Sequence, residues 1–331
     1  MSSDDTEDRA SSTSLPGGAG RLVIEHREPK RRRSLLWLLI ASVFLNMILF
    51  AGRNGIGISR LEERYVAGAT LSTKSKIAII DIHGTINDTS VEHILKQIRQ
   101  ARDDNSVLGV VLRVDSPGGT VTGSDQIWRE VSGLKAADKP VVASFGGIAA
   151  SGGYYVSAPA DLIFAEPTCL TGSIGVKLEL PQLAGLLEKV GVQFATITTG
   201  EWKDSASMYK PMTDVERKRW QILLDVSHAR FVRVVAQGRK LTLSAAEALA
   251  NGKILSVDEA IQGKLVDRVG YLDDAIAYLQ TKLGLETPRV IRYSKPMSLT
   301  DVLLPGLLKP PDVHEQILER LQTPKVMFIA Y

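Results

Sequence analysis

Ser151 stands in the run Ala-Ala-Ser-Gly-Gly (149–153), within the longer stretch ASFGGIAASGGYYVSAPAD (143–161). A hydroxyl flanked by residues with almost no side chain can be approached closely by a bulky reactant. The N–H that follows it, from Gly152, can aim at a negative charge forming beside it. This is the logic of a nucleophile elbow, although the pattern is not Gly-x-Ser-x-Gly. The same small residues would also let a helix pack tightly on a sheet. A second stretch, VDSPGGTVTGSDQI (114–127), ends a strand near Asp115, turns at Pro117 and passes through Gly118-Gly119 into a helix. Such a turn exposes backbone N–H groups where a helix dipole also favours negative charge, which makes an oxyanion site. It serves equally as a plain strand-to-helix turn. No phosphate-cradling G-x-x-x-x-G-K-[ST] and no G-x-G-x-x-G is present, so a nucleotide has little support.

A serine nucleophile needs a base. No histidine lies between His93 and His228, and His83 on the first strand could help only if the fold brought it round. A Ser–Lys pair needs one lysine held neutral by apolar surroundings. Lys177 in TGSIGVKLE, Lys203 in TTGEWKDSAS and Lys210 are the candidates. Lys203 follows an expected strand in a glycine-containing loop, a setting that suits a site residue.

The elements that must carry these groups alternate. Strands are expected at 76–84, 108–116, 140–146, 161–167 and 193–200. Helices are expected at 89–104, 121–137, from about 150, and at 181–191. Apolar, β-branched strands alternating with helices predict a parallel α/β core with right-handed crossovers. A long helix follows at 214–238, with Thr213 placed to cap it. Three shorter helices come next, the last at 272–284. The tail from Thr287 holds one strand-like run, RVIRY. Residues 52–75 read as a linker, with a short helix around 61–65.

Composition excludes several classes. The chain has 331 residues and a formal net charge of +3, too small to argue for nucleic acid. Cys169 is the only cysteine, so neither an intrachain disulfide nor a cysteine zinc site is available. No two of the five histidines form a ligand pair, so no metal and no cofactor are expected. Residues 1–33 read as a disordered cytoplasmic N-terminus, rich in Ser, Asp, Glu and Gly and ending in KRRR (30–33). The run SLLWLLIASVFLNMILFA (34–51) is free of charge and about long enough to cross a bilayer. Six Lys or Arg lie in 14–33 against three in 52–71. The bias predicts an uncleaved, single-pass anchor with its N-terminus in the cytoplasm.

The stretches VDSPGGTV, KPVVASFGGIAASGGYYVSAPADLIFAEPTCLTGSIGV, GEWKDSAS and PMTDVERKRWQILLDVSHARFVRVVAQGRKL occur in this order. Together they resemble the bacterial signal peptide peptidase A family in its short form, across roughly residues 76–285. The resemblance implies a fold of the Clp-protease and crotonase type: a spiral α/β core of repeated ββα units with a helical C-terminal extension, preceded by one transmembrane helix. It implies a catalytic domain over 76–286 and a tail over 287–331 that packs on or extends it. It implies a serine endopeptidase that degrades cleaved signal peptides outside the cytoplasm, anchored in the bacterial inner membrane. Ser151 would be the nucleophile and Lys203 the general base. Ser173 would orient the lysine, and Gly119 and Gly152 would form the oxyanion hole. Short members imply a homo-oligomeric ring with the Ser–Lys dyad shared between protomers. The departures are SAS at 205–207 and Ser256, and they bear on substrate grooves. The rivals are a crotonase-like acyl-CoA enzyme and an inactive scaffold of the same fold.

Overall fold

The computed structural model describes residues 30–53, 61–69, 74–294 and 326–329. The chain divides into two units, Met1–Ile56 and Gly57–Tyr331. The first contributes one helix, α1 (Lys30–Arg53). Its described side chains, those of 36–47, are all exposed, and the ends of the expected 34–51 span lie outside them. The expected disordered stretch before residue 30 and most of the expected tail also lie outside the described residues. Among the described residues no helix is long and apolar enough to cross a membrane.

The second unit is built on a nine-stranded sheet. Its elements run β1 (Glu62–Ala67), β2 (Lys76–His83), α2 (Asp88–Asp103), β3 (Val107–Ser116), β4 (Gly118–Thr120), α3 (Val121–Ala136), β5 (Val141–Ala150) and α4 (Gly152–Ser157). Next come β6 (Leu162–Ala165), β7 (Leu170–Gly172), β8 (Lys177–Leu178), α5 (Ala184–Lys189), α6 (Asp214–Arg239), α7 (Leu243–Leu249), β9 (Ile254–Leu255) and α8 (Val257–Gln262). The described chain ends with β10 (Arg268–Val269), α9 (Leu272–Lys282), β11 (Arg289–Ser294) and β12 (Val326–Ile329).

The sheet order is β1-β11-β2-β3-β5-β6-β10, with β7 beside β5 and β9 beside β7. From β11 through β10 every pairing is parallel. A parallel sheet is buried on both faces, which is why its strands are almost continuously apolar. Ala78, Ile80, Ile82, Val110, Leu112 and Val114 face a large core shared with α2, α3, α4 and the end of α6. Ile77, Ile79, Val111 and Val142 point the other way, onto Ala275 and Leu279 of α9. The parallel α/β core expected from the alternation is the one observed.

Two expected elements differ. Residues 62–67 form a strand rather than a helix, because β1 pairs antiparallel with β11 at the sheet edge. Residues 193–200 form no strand. Their apolar alternation finds no sheet edge to join, and Ile197 is 98% exposed.

A second, three-stranded sheet lies over the site. It is ordered β4-β12-β8, and β12 runs antiparallel to both neighbours. Phe328 pairs with Gly119 and Ile329 with Gly118, while Val326 pairs with Leu178.

Candidate active site

β5 delivers Ser151 by changing partners along its length. Up to Phe145 it lies between β3 and β6; from Ile148 to Ala150 it pairs with β7. Ser151 then turns the chain into α4 with φ 52° and ψ −114°, a conformation that few non-glycine residues adopt. The surroundings hold it there. Its N–H donates to the Gly172 carbonyl at 2.8 Å, and its carbonyl accepts from the Tyr155 N–H at 2.8 Å. Strain maintained in this way is typical of a nucleophile presented at a strand-to-helix elbow. The Ser151 hydroxyl is buried and has no hydrogen-bond partner among the described residues.

The S-P-G-G turn is fixed by Ser116. Its Oγ donates to the Gly84 carbonyl at 2.6 Å and accepts from the Gly118 N–H at 3.1 Å. Gly118 has φ 105°, and Gly119 is pressed so close to Ile86 that a Cβ there would collide with the Ile86 carbonyl. No side chain fits at 119. A Cβ on Gly152 would stand 3.1 Å from the Gly119 nitrogen and 2.6 Å from Ser124 Oγ. The two glycines are thus direct neighbours across the site, at the head of two helices. Ser173 joins them from the end of β7. It also has a positive φ, 49°, is buried, and donates its N–H to Lys253 O at 2.8 Å.

Lys203 is placed differently. It lies in a turn at 201–206 with an exposed side chain, and its backbone N–H donates to Gly200 O at 3.3 Å. Among the described residues no hydrogen bond links it to Ser151 or Ser173. The rival bases are committed elsewhere. Lys210 Nζ bridges Asp204 at 3.0 Å and Glu216 at 2.8 Å, and hydrogen bonds to Glu216 and Asp204 hold its pKa above the ordinary value. Lys177 pairs with Glu179 at 2.9 Å. His83 shares the sheet face of Ile79 and Asp81, the face that α9 covers, and its ring lies 3.9 Å from Asp115. Burial pushes the Cys169 thiol up to about 12, so it is not a thiolate at neutral pH. No cluster of His, Cys, Asp or Glu suited to a metal occurs among the described residues.

Sequence reasoning missed the groups that brace the site. Tyr155, four residues after Ser151, is buried and donates its O–H to Asp125 at 2.6 Å. Arg230 of α6 pairs with the same carboxylate at 2.7 Å and lies over the Trp128 ring. This clamp ties α6 through α3 to α4, the helix that Ser151 leads into. Burial, aided by the Asp125 carboxylate, raises the Tyr155 pKa and keeps it a donor. Ser116 lay within a quoted motif, but its bracing role needed the Gly84 carbonyl, 32 residues away, to be seen.

Comparison with known proteins supplies the family. The profile of Peptidase family S49 matches residues 133–286, and that of Clp protease matches 65–167. A protein of Enterococcus faecium assigned as a signal peptide peptidase SppA is 37% identical over 256 residues, covering 74% of this chain and 72% of that protein. Protease 4 of Haemophilus influenzae is 35% identical over 61% of this chain, a match that covers 34% of the longer relative. The chloroplastic serine protease SPPA of Arabidopsis thaliana is 32% identical over 70% of this chain and 36% of its own length. With 37% identity to a relative covered over 72% of its length, the chain belongs to peptidase family S49, the signal peptide peptidase A family of serine peptidases with a Clp-like fold.

Proposed function

We propose that the chain is a membrane-anchored endopeptidase that cuts extended peptides, cleaved signal peptides among them, with a Ser–Lys dyad shared between neighbouring protomers of a ring. The observation that carries the substrate class is β12. A strand lies in extended form between β4, which bears Gly119, and β8, with backbone pairing on both sides. A groove that adds a strand in this way reads peptide backbone and favours unfolded chains over folded ones.

In the proposed reaction Ser151 Oγ attacks the scissile carbonyl carbon, and its proton passes to Lys203 Nζ of the adjacent protomer. The N–H groups of Gly119 and Gly152 donate to the carbonyl oxygen as it takes up negative charge. Lys203 then gives its proton to the leaving amine, and the C–N bond breaks. Water attacks the acyl-serine with Lys203 as base, which releases the acid and restores the serine. Ser173, next in sequence to Gly172, whose carbonyl accepts from the Ser151 N–H, would orient the incoming neutral Lys203 amine. Two features support a shared dyad: Ser151 Oγ lacks a partner among the described residues, and Lys203 is exposed in a segment rich in uncovered apolar side chains. The uncharged 34–51 run, preceded by KRRR, supports an anchor with the catalytic unit outside the cytoplasm.

The test mixes Ser151→Ala and Lys203→Ala protein, dissociates both and reassembles them together. A shared dyad restores about a quarter of the sites in an equal random mixture, as for any head-to-tail ring. Mixed rings that stay at the background of the separate variants would end the shared-dyad reading. Fluorophosphonate labelling of Ser151 and mass-spectrometric mapping of products from a panel of signal peptides test the chemistry and the substrate class.

A further inference from the structure

The site holds a second buried hydroxyl that the proposed mechanism does not use. Ser124 is the fourth residue of α3, the helix that the S-P-G-G turn leads into, and it is fully buried. A serine inside a helix normally spends its hydroxyl on the carbonyl four residues back. Two serines in this region do so: Ser132 Oγ donates to Trp128 O at 2.8 Å, and Ser157 Oγ donates to Gly153 O at 2.8 Å. Ser124 Oγ has no partner among the described residues. It points instead at the glycine pair, 2.6 Å from where a Cβ on Gly152 would stand, a position itself 3.1 Å from the Gly119 nitrogen. The hydroxyl therefore sits at the N-terminal end of a 16-residue helix, beside both residues of the oxyanion hole.

An unpartnered buried hydroxyl costs stability unless something else makes use of it. We propose that Ser124 is a third donor of the oxyanion site, whose O–H turns toward the carbonyl oxygen when the tetrahedral intermediate forms. The proposal rests on Ser151 being the nucleophile. A hydroxyl already bonded in the resting enzyme would have to break that bond before it could help. One with no bond keeps its hydrogen available, so the interaction exists only in the transition state and raises kcat rather than tightening substrate binding. The positive end of α3 acts in the same direction.

The test is Ser124→Ala, which removes one oxygen and leaves the volume nearly unchanged. Three quantities are read on the assembled full chain: kcat and KM on a peptide substrate, affinity for a peptide boronate that forms a tetrahedral adduct with the serine, and thermal midpoint. With two backbone donors remaining, kcat falls about 10-fold and boronate affinity falls by the same factor, while KM stays within about 2-fold. The thermal midpoint stays level or rises, because a buried unsatisfied group is gone. A variant at once more stable and less active is the signature that packing alone does not give. Parent-like kcat and boronate affinity would overturn the proposal, and so would a lowered midpoint with kcat and KM both impaired. Ser124→Cys, with a weaker donor of similar shape, falls between parent and alanine; equality with the parent would also count against a hydrogen-bonding role. Ser151→Ala is the control. If it keeps activity, the nucleophile assignment fails, whereas a dead Ser151→Ala beside a parent-like Ser124→Ala removes only the third donor.

Discussion

The Ser151-bearing and Lys203-bearing halves of the proposed site are built by opposite rules. Around Ser151 nearly everything is buried: all six residues of α4, most of β5 and the aromatic set of Tyr154, Tyr155 and Phe231. Over residues 179–229 the chain is mostly exposed. α5 buries nothing, and Leu186, Val190, Phe194, Ile197, Val215, Ile222 and Val226 are each more than half exposed. α6 contains the contrast within one helix. Its last turns bury Phe231, Val232, Val234 and Val235, while its first turns bury only Glu216. Monomeric proteins in water do not ordinarily leave so much apolar surface open over one continuous segment. The serine half is buried within the chain; the proposed lysine half leaves the surface that a shared site would need to cover.

The largest effect that could break this contrast is on catalysis. Ser151→Ala is expected to lower kcat by at least about 10⁴-fold. Lys203→Arg should fall nearly as far, because a guanidinium does not give up its proton. Both should fold like the parent by circular dichroism and melting. If Lys203→Arg keeps most of its activity, the lysine has no part in the chemistry, and the exposed half loses its meaning.

Stability within α6 sharpens the contrast next. Phe231→Ala should cost about 3–5 kcal/mol in chemical denaturation, since it empties a fully buried aromatic site. Ile222→Asp, about two and a half turns earlier in the same helix, should change protomer stability by less than about 0.5 kcal/mol. It should instead lower the assembled mass seen by light scattering, and activity with it. A large protomer destabilisation by Ile222→Asp would show that the surface is covered within the protomer.

A pH titration probes the junction between the halves. The Lys210 ammonium and the capping contacts of Thr213 hold the Glu216 carboxyl at about 2, below the ordinary 4.5. A depressed carboxylate stabilises the fold above its unfolded value, and the contribution is lost as pH falls from 4.5 through about 2. The melting difference between parent and Glu216→Gln should therefore be full at about pH 6 and close by about pH 2. A pH-independent gap would assign the effect to packing.

The smallest effect concerns β12. Removing residues 326–331 should raise kcat/KM on a short peptide by roughly three- to tenfold, mainly through KM. An unchanged KM would mean that peptide does not use the seat between β4 and β8.

The serine half was legible in the sequence because its determinants are local. A-A-S-G-G and S-P-G-G each specify a turn by residue size; outside this half, the Thr213 cap was equally local, and the structure completes it as a capping box with Glu216. What escaped was set by distant partners. QFATITTG has the alternation of a strand, yet a strand exists only where a neighbour offers its edge, and none does at 193–200. Residues 62–67 became a strand because β11, far later in the chain, offered one. Ser124 carries no signal in its residue type; its meaning lies in the bond it does not make.

The strand between β4 and β8 has one more consequence. A ligand tethered to its own receptor does not dilute. A tethered segment is present at an effective concentration set by its own chain, however few molecules are in solution. Peptides that enter this groove from outside are then weighed against a resident competitor. If peptides use this seat, occupancy would depend on the absolute concentration of peptide and stay indifferent to the concentration of enzyme, and the resident strand would raise the peptide concentration needed for half-occupancy.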